Sequence, residues 1–197
     1  MSEQQGYVLL KGKKGIIFGA LDDRSIAWRI ALACKREGAD FVLSNAPIAL
    51  RLGELDELAE KTGAKILPCD VSKEEEVEDL MNDTKEELGS VDFILHAIGM
   101  SPNVRKKKEY KDLNYHWYNQ TLDISAISLH KVLHFADKTG LLNDGASVVA
   151  LSYIGAQRIF SKYSDMNDAK ALLESIARNY GSRLADRGIR VNTVSQA

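Results

Sequence analysis

The chain has 197 residues, 45% of them apolar and 27% charged, which is typical of one globular domain with a core of its own. Lys and Arg number 26 against 28 Asp and Glu, a formal net charge of −2 that gives no reason to expect nucleic-acid binding. Two cysteines cannot form a disulfide framework, and no secretory signal or run of ~18 apolar residues is present, so we expect a cytoplasmic protein outside the membrane.

Short apolar strands alternate with helical segments along the chain. The pattern predicts strands over residues 15–19, 40–44, 65–70, 91–96, 146–151 and 189–195. Helices are predicted over residues 25–37, 52–62, 72–88, 113–139 and 166–187. Ser72 and Glu75 have the spacing of a capping box at the start of the third helix. The alternation predicts an α/β fold: a doubly wound, Rossmann-like parallel sheet with helices on both faces.

The loop after the first strand is a candidate phosphate-binding turn. Gly19 permits a tight turn and a close approach of the backbone to a pyrophosphate, and Ser25 offers a hydroxyl at the helix start. A glycine turn with an ordinary serine N-cap explains the same residues. Asn45 follows the second strand with no adjacent basic pair for a 2′-phosphate, which favours NADH over NADPH. Asp70 could accept from an adenine amino group or cap the next segment.

Histidines do not form a recognisable catalytic or metal site. His96 ends the fourth strand, and we interpret it as a structural histidine. His130 and His134 are four residues apart in a helix, but no third ligand is placed nearby, so we expect no metal.

Tyr163 and Lys170 are candidates for proton delivery. On one helix, a separation of seven residues would place them on nearly the same face, about 10 Å apart along the axis. An ammonium near the phenol would lower its pKa, and the pair would suit an oxyanion that develops beside a nicotinamide. A tyrosine with an exposed lysine on an amphipathic helix is the alternative.

Taken together, these segments resemble the short-chain dehydrogenases/reductases, and within them the bacterial NADH-dependent enoyl-(acyl carrier protein) reductases of type II fatty acid synthesis. The matching residues are Gly19 with Ser25-Ile26-Ala27, Cys69-Asp70-Val71, 96–99, 151–158, Tyr163 with Lys170, and 190–195. Six residues lie between Tyr163 and Lys170, where most of the superfamily has three, and Tyr153 lies ten residues before Tyr163. These two features single out the enoyl reductases.

The resemblance implies that NADH delivers hydride to C3 of a trans-2-enoyl thioester on acyl carrier protein. It implies that Tyr163 hydrogen-bonds the thioester oxygen, that Lys170 holds the nicotinamide ribose, and that Tyr153 lines the acyl pocket. The remaining implied contacts are with cofactor for Gly19, Ser25, Ile26, Asp70, Val71, Ile98 and Gly99, and with substrate for Ser101. A homotetramer packed through helices 113–139 and 166–187 is also implied.

The sequence departs from the family pattern at two places. Ser161 stands where the family has proline. The family continues beyond the sixth strand with a loop over the nicotinamide and pyrophosphate, helices over the acyl pocket and a seventh strand. We therefore expect residues 1–197 to be a single domain cut short at its carboxyl end, or else a reductase that lacks this lid. A reductase of ketones or other enones and a non-catalytic nucleotide-binding module remain alternatives.

Residues 105–108 form a basic run, Arg-Lys-Lys-Lys, in a loop. A solvated loop tip explains it, and so does attraction to an acidic carrier protein or to the phosphates of a pantetheine or CoA group.

Overall fold

Six parallel strands form one sheet in the computed structural model, which describes residues 7–196. The strands are β1 (Lys14–Phe18), β2 (Asp40–Ser44), β3 (Lys65–Ile66), β4 (Val91–His96), β5 (Leu142–Tyr153) and β6 (Arg190–Gln196). Their order across the sheet is β3-β2-β1-β4-β5-β6, and every neighbouring pair is parallel. The order reverses between β1 and β4, which confirms the doubly wound sheet and places a binding crevice at the carboxyl ends of these strands.

Helices cover both faces of the sheet. They are α1 (Ile26–Arg36), α2 (Pro47–Leu52), α3 (Leu55–Thr62), α4 (Glu74–Leu88), α5 (Pro102–Arg105), α6 (Tyr115–Leu122), α7 (Ser128–Lys138) and α8 (Met166–Arg183). Alternate residues of β1 point to opposite faces, so Ile16 packs in a core with α4, α7 and α8, whereas Ile17 packs in a core with α1 and α3. Among the described residues, no helix is long and apolar enough to cross a membrane.

The predicted third strand and the helix before it were too long. Only Lys65–Ile66 pairs as a strand. The chain nevertheless stays beside β2, since Leu67 and Cys69 donate their N–H groups to the carbonyls of Leu43 and Asn45. The helix predicted from residue 52 begins only at Leu55, because the extended backbone of Gly53 separates α2 from α3.

The predicted capping box at Ser72 is wrong. Helix α4 begins at Glu74 with Lys73 at the N-cap position and no side-chain cap. Ser72 lies before the N-cap position, and its N–H and hydroxyl both donate to Asp70 Oδ1, at 3.0 and 2.7 Å. Glu76, in the first turn of α4, accepts the backbone N–H of Asp70 at 2.8 Å. The loop after β3 is therefore held to the start of α4 through Glu76, and Asp70 and Ser72 are bonded to each other within the loop.

The helical region predicted over residues 113–139 is a continuous helix from Tyr115 to Lys138 with one π-helical turn, Asp123–Ile127, between α6 and α7. Such turns are frequent at functional sites, because they rotate side chains out of the regular α-helical pattern. Here Ser125, within the turn, accepts the backbone N–H of Met100 at 2.9 Å and reaches the Met100 carbonyl at 3.1 Å. The turn therefore anchors the loop that follows β4.

Candidate active site

The loops after β1 and β4 touch at the switch point of the sheet. Gly19 follows β1 with φ +88°, and a Cβ there would lie 2.1 Å from the carbonyl oxygen of Ala97, which follows β4. A side chain at residue 19 would therefore force the two loops apart, in addition to the strain of a positive φ. The glycine predicted for a close approach to pyrophosphate is thus also required for a close approach within the protein.

Ser25 does not cap helix α1. Its hydroxyl accepts the Leu21 N–H at 3.2 Å and donates to the Asp22 carbonyl at 2.8 Å, so it closes the loop on itself. Helix α1, which begins at Ile26, has no side-chain cap and no acidic residue in its first turn. The positive end of the helix is thus left uncompensated by side chains where an anionic group is expected.

Asp70 and Val71 follow β3 at the same edge of the sheet. Asp70 Oδ1 accepts the N–H and the hydroxyl of Ser72, so this carboxylate holds the turn after it, as the alternative interpretation expected. Lys131 of α7 reaches the carbonyls of Val71 and Ser72 at 3.4 and 2.8 Å and Asp123 of the π-helical turn at 2.8 Å. This lysine, which sequence spacing did not reveal, joins the candidate adenine loop to the π-helical turn.

Lys170 is buried where β4 and β5 end. Its Nζ donates to the Leu151 carbonyl at 2.6 Å, and a Cβ placed on Gly99 would lie 3.8 Å from this Nζ. The side chain is therefore beside the loop that carries Ile98 and Gly99. Burial lowers the pKa of Lys170 to about 8.

Tyr163 does not share a helix with Lys170, contrary to the prediction. It lies in the 3-10 turn Ser161–Tyr163, and helix α8 begins three residues later, after Ser164, which has φ +47°. The predicted decrease of its pKa by Lys170 is also wrong: burial, with a contribution from Tyr153, raises the pKa of Tyr163. The phenol is therefore protonated at neutral pH and is a hydrogen-bond donor.

Tyr153 and Tyr163 contact each other, with ring centroids 4.4 Å apart. Tyr153 ends β5, and its ring also packs edge-on with Phe160, with 5.3 Å between the ring centroids. Both tyrosines are half-buried. The two residues predicted to act on the substrate are thus brought together at the carboxyl end of the sheet.

Ser101 is used inside the protein. It is 4% exposed, its hydroxyl donates to Asp165 Oδ1 at 2.6 Å, and its oxygen accepts the Val104 N–H that opens α5. A contact of Ser101 with substrate, as the resemblance implied, would therefore have to involve its backbone rather than its hydroxyl.

Asp165 is a buried carboxylate that the sequence did not single out. Besides Ser101, its oxygens lie 2.8 Å from Asn103 Nδ2 and 2.9 Å from Thr121 Oγ1. Asp165 comes directly before α8 and two residues after Tyr163, so these contacts attach the tyrosine segment to α5 and α6. The sequence shows only a polar residue directly before a predicted helix. The partners of Asp165 are at least 44 residues away, so the sequence does not indicate its hydrogen bonds.

His96 is structural, as interpreted. It is fully buried, and its Nε2 lies 2.9 Å from Ser128 Oγ, whose proton is directed to the Ile124 carbonyl at 2.6 Å. The serine oxygen therefore accepts from Nε2–H, and His96 is neutral. Elsewhere, His130 contacts Tyr180 and His134 contacts Phe135. Within residues 7–196, no group of three or more His, Cys, Asp or Glu side chains is placed to hold a metal ion.

Comparison with known proteins identifies the family of this arrangement. The family model described as enoyl-(acyl carrier protein) reductase matches residues 19–197. The enoyl-acyl-carrier-protein reductase (NADH) 1 of Rhizobium meliloti is 36% identical over 188 residues, which cover 95% of this chain and 68% of that protein.

Solved structures agree with the sequence comparison. The crystal structure of the FabI–NADH complex from Alistipes finegoldii is 52% identical, with a TM-score of 0.95, over 96% of this chain and 68% of that one. The reductase of Anaplasma phagocytophilum in complex with NAD is 33% identical, with a TM-score of 0.90, over 100% and 74% of the two chains.

Proposed function

The chain belongs to the enoyl-(acyl carrier protein) reductase family, and we propose that it reduces the trans-2 double bond of an enoyl thioester on acyl carrier protein with NADH, in fatty acid elongation. The observation that carries this proposal is the contact between Tyr153 and Tyr163, 4.4 Å apart, at the edge of the sheet where Lys170 is buried beside Gly99. A protonated phenol at the edge of the sheet where a doubly wound fold binds a dinucleotide supports this reaction.

The residues at this edge fit NADH. Lys170 has three N–H donors when charged, and within the described residues only the Leu151 carbonyl is bonded to them, so donors remain for ribose hydroxyls. Ile98 and Gly99 would lie along the ribose, and Gly19, Ser25 and Ile26 at the pyrophosphate. Val71 would contact the adenine. Asp70 would do so through Oδ2, the oxygen that Ser72 does not bond.

When bound, NADH supplies the hydride that reduces C3 of the substrate. Tyr163 then hydrogen-bonds the thioester oxygen on which negative charge develops. Its raised pKa keeps the proton on the phenol at neutral pH, so the residue acts as a donor to the enolate oxygen rather than as a base. Tyr153 lines the acyl pocket beside it and limits the positions open to the Tyr163 ring. A proton from solvent adds to C2 of the enolate and completes the saturated acyl chain.

We further propose that the protein is a cytoplasmic homotetramer packed through α6, α7 and α8. The edge-on contact of His130 with Tyr180, at 5.1 Å between ring centroids, joins α7 to α8 near the surface and supports treating the helices as one packing face. Light scattering that gives four chains per particle is the expected result, and a monomer in solution would contradict this assembly.

The reaction is tested by NADH consumption with crotonyl-N-acetylcysteamine, a small enoyl thioester. We expect consumption with this substrate and none with a matched β-ketothioester. Consumption with the ketone alone would identify a ketone reductase. NADH binding by calorimetry without consumption of either substrate would instead favour a non-catalytic nucleotide-binding module.

A further inference from the structure

An exposed group of basic side chains lies next to the tyrosine segment and takes no part in the chemistry proposed above. This basic face consists of Arg105, Lys106, Lys107, Lys108, Lys111, Arg158 and Lys162, all of them exposed. Lys111 lies 3.4 Å from Glu109, whereas the other six make no side-chain ion pair with any residue in the described part of the chain. Most other surface lysines do pair, such as Lys61 with Glu57 and Lys65 with Glu87.

A groove runs through the basic face. It has a volume of about 910 Å³ and is bounded by residues 109–111 on one side and 155–162 on the other, with Lys111, Arg158 and Lys162 in its lining. Two carboxylates also line it: Glu109 pairs with Lys111, and Asp168 accepts hydrogen bonds from Tyr110 and Tyr118. Its apolar lining includes Ile159, which is 95% exposed, and Phe160. A basic rim with an apolar lining suits a partner that combines an acidic surface with an apolar group.

The groove leads toward the two tyrosines. Phe160 lines it and packs edge-on against Tyr153, which contacts Tyr163. The basic loop is attached at the same place, because the Ser164 hydroxyl donates to the Lys108 carbonyl at 3.3 Å directly after Tyr163. The basic face is therefore next to the reacting end of the proposed site.

We propose that the basic face is the docking surface for the acidic surface of the acyl carrier protein, and that the groove receives the thioester arm on its way to Tyr153 and Tyr163. The inference rests on the proposed function. Its independent support is charge: the chain has a net charge of −2, yet six unpaired cations are gathered beside the groove. Cations spread over two segments match an extended acidic surface better than they match a single phosphate, and they would steer its approach.

Direct binding tests the docking surface without any turnover. Isothermal calorimetry would measure the Kd of the carrier protein for the unmodified chain and for the triple variant Lys106→Gln, Lys107→Gln, Lys108→Gln. The matched control, Lys61→Gln, Lys65→Gln, Lys138→Gln, makes the same change in net charge at the opposite, amino-terminal edge of the sheet. We expect the first variant to weaken binding by about tenfold at low salt and the control to leave it within about twofold.

Kinetics separate the carrier protein from its phosphate-bearing arm. For the 106–108 variant we expect kcat/KM to fall with the crotonyl carrier protein and to stay unchanged with crotonyl-CoA and crotonyl-N-acetylcysteamine. An equal fall with crotonyl-CoA would assign the cations to phosphate and overturn the proposal. Unchanged carrier-protein binding, or an equal loss in the control variant, would overturn it as well. Turnover of the N-acetylcysteamine thioester by the unmodified chain tests the proposed function separately, since that substrate has neither carrier nor phosphate.

Discussion

Tyr153 and Tyr163 lie with their ring centroids 4.4 Å apart and their planes inclined by 45°, although one ends a strand and the other lies in a 3-10 turn. The contact depends on the loop between them, which turns back so that Phe160 also packs on Tyr153. The pair gives the site two phenols with different roles: one that donates to the substrate oxygen and one that shapes the pocket.

Replacement of Tyr163 by Phe tests that division of roles. The ring packing on Tyr153 remains, but the donor to the developing oxyanion is lost, so kcat should fall by about 10²–10³-fold. Steady-state kinetics with crotonyl-N-acetylcysteamine gives the measurement, and calorimetry should show NADH affinity within about threefold of the unmodified chain. Tyr153→Phe is the matched control with a smaller loss. An equal loss in both variants would show that the roles are not divided in this way.

Lys170→Met should weaken NADH binding by about tenfold or more, because it removes charged donors from a buried position. In the unmodified chain the pKa of Lys170 is lowered to about 8, so the ammonium loses its proton as pH rises through 8. We therefore expect NADH affinity, measured by calorimetry, to decrease between pH 7 and 9 in the unmodified chain and to stay level in the variant. A level profile in both would refute the assigned role.

Asp165→Asn should destabilise the fold by about 1–3 kcal/mol, because an amide group would face the donors of Ser101, Asn103 and Thr121. Urea unfolding measures the loss. Asp186→Asn, at an exposed position in the 3-10 turn after α8, is the control and should leave the unfolding free energy within about 0.5 kcal/mol. A loss in the control as large as in Asp165→Asn would argue against the network as the cause.

Acid sensitivity should depend on His96. Burial, with the nearby charge of Lys170, lowers the pKa of His96 to about 3 from an ordinary 6.5. Between these values the unfolded chain binds a proton that the folded chain does not, so the free energy of unfolding falls as pH falls. Relative to His96→Gln, which keeps a donor for Ser128, the unmodified chain should lose about 1.4 kcal/mol per pH unit between pH 6 and 4. Parallel stability profiles would contradict this account.

The parts of the fold that the sequence predicted are those decided by local pattern. Strands β1, β2 and β4 are short buried apolar runs, and each was predicted within one residue of its observed bounds. The doubly wound parallel sheet and the crevice at its carboxyl edge followed from the alternation of strands and helices. Gly19, Gly99 and the end of β5 came to the same edge for that reason.

The errors arose where side-chain contacts or backbone angles that residue spacing does not reveal decide the local structure. Ser72 has the spacing of a helix cap, but Lys73 occupies the N-cap position and Ser72 bonds Asp70 in the turn before it. Tyr163 was placed on a helix with Lys170 because spacing alone cannot show the positive φ of Ser164. Asp165 was missed because its structural role depends on hydrogen bonds to residues of α5 and α6, and no regular spacing along the sequence links it to them.

Isotope transfer follows the hydride from NADH to the carbon atom that receives it. NADH carrying deuterium at the transferable position of C4 would be incubated with the chain and crotonyl-N-acetylcysteamine, and the butyryl product analysed by mass spectrometry and NMR. Reduction of the trans-2 double bond by the proposed reaction would give a saturated thioester with one deuterium, located at C3. Recovery of unreduced crotonyl thioester, or deuterium found on a carbinol carbon in place of C3, would contradict it.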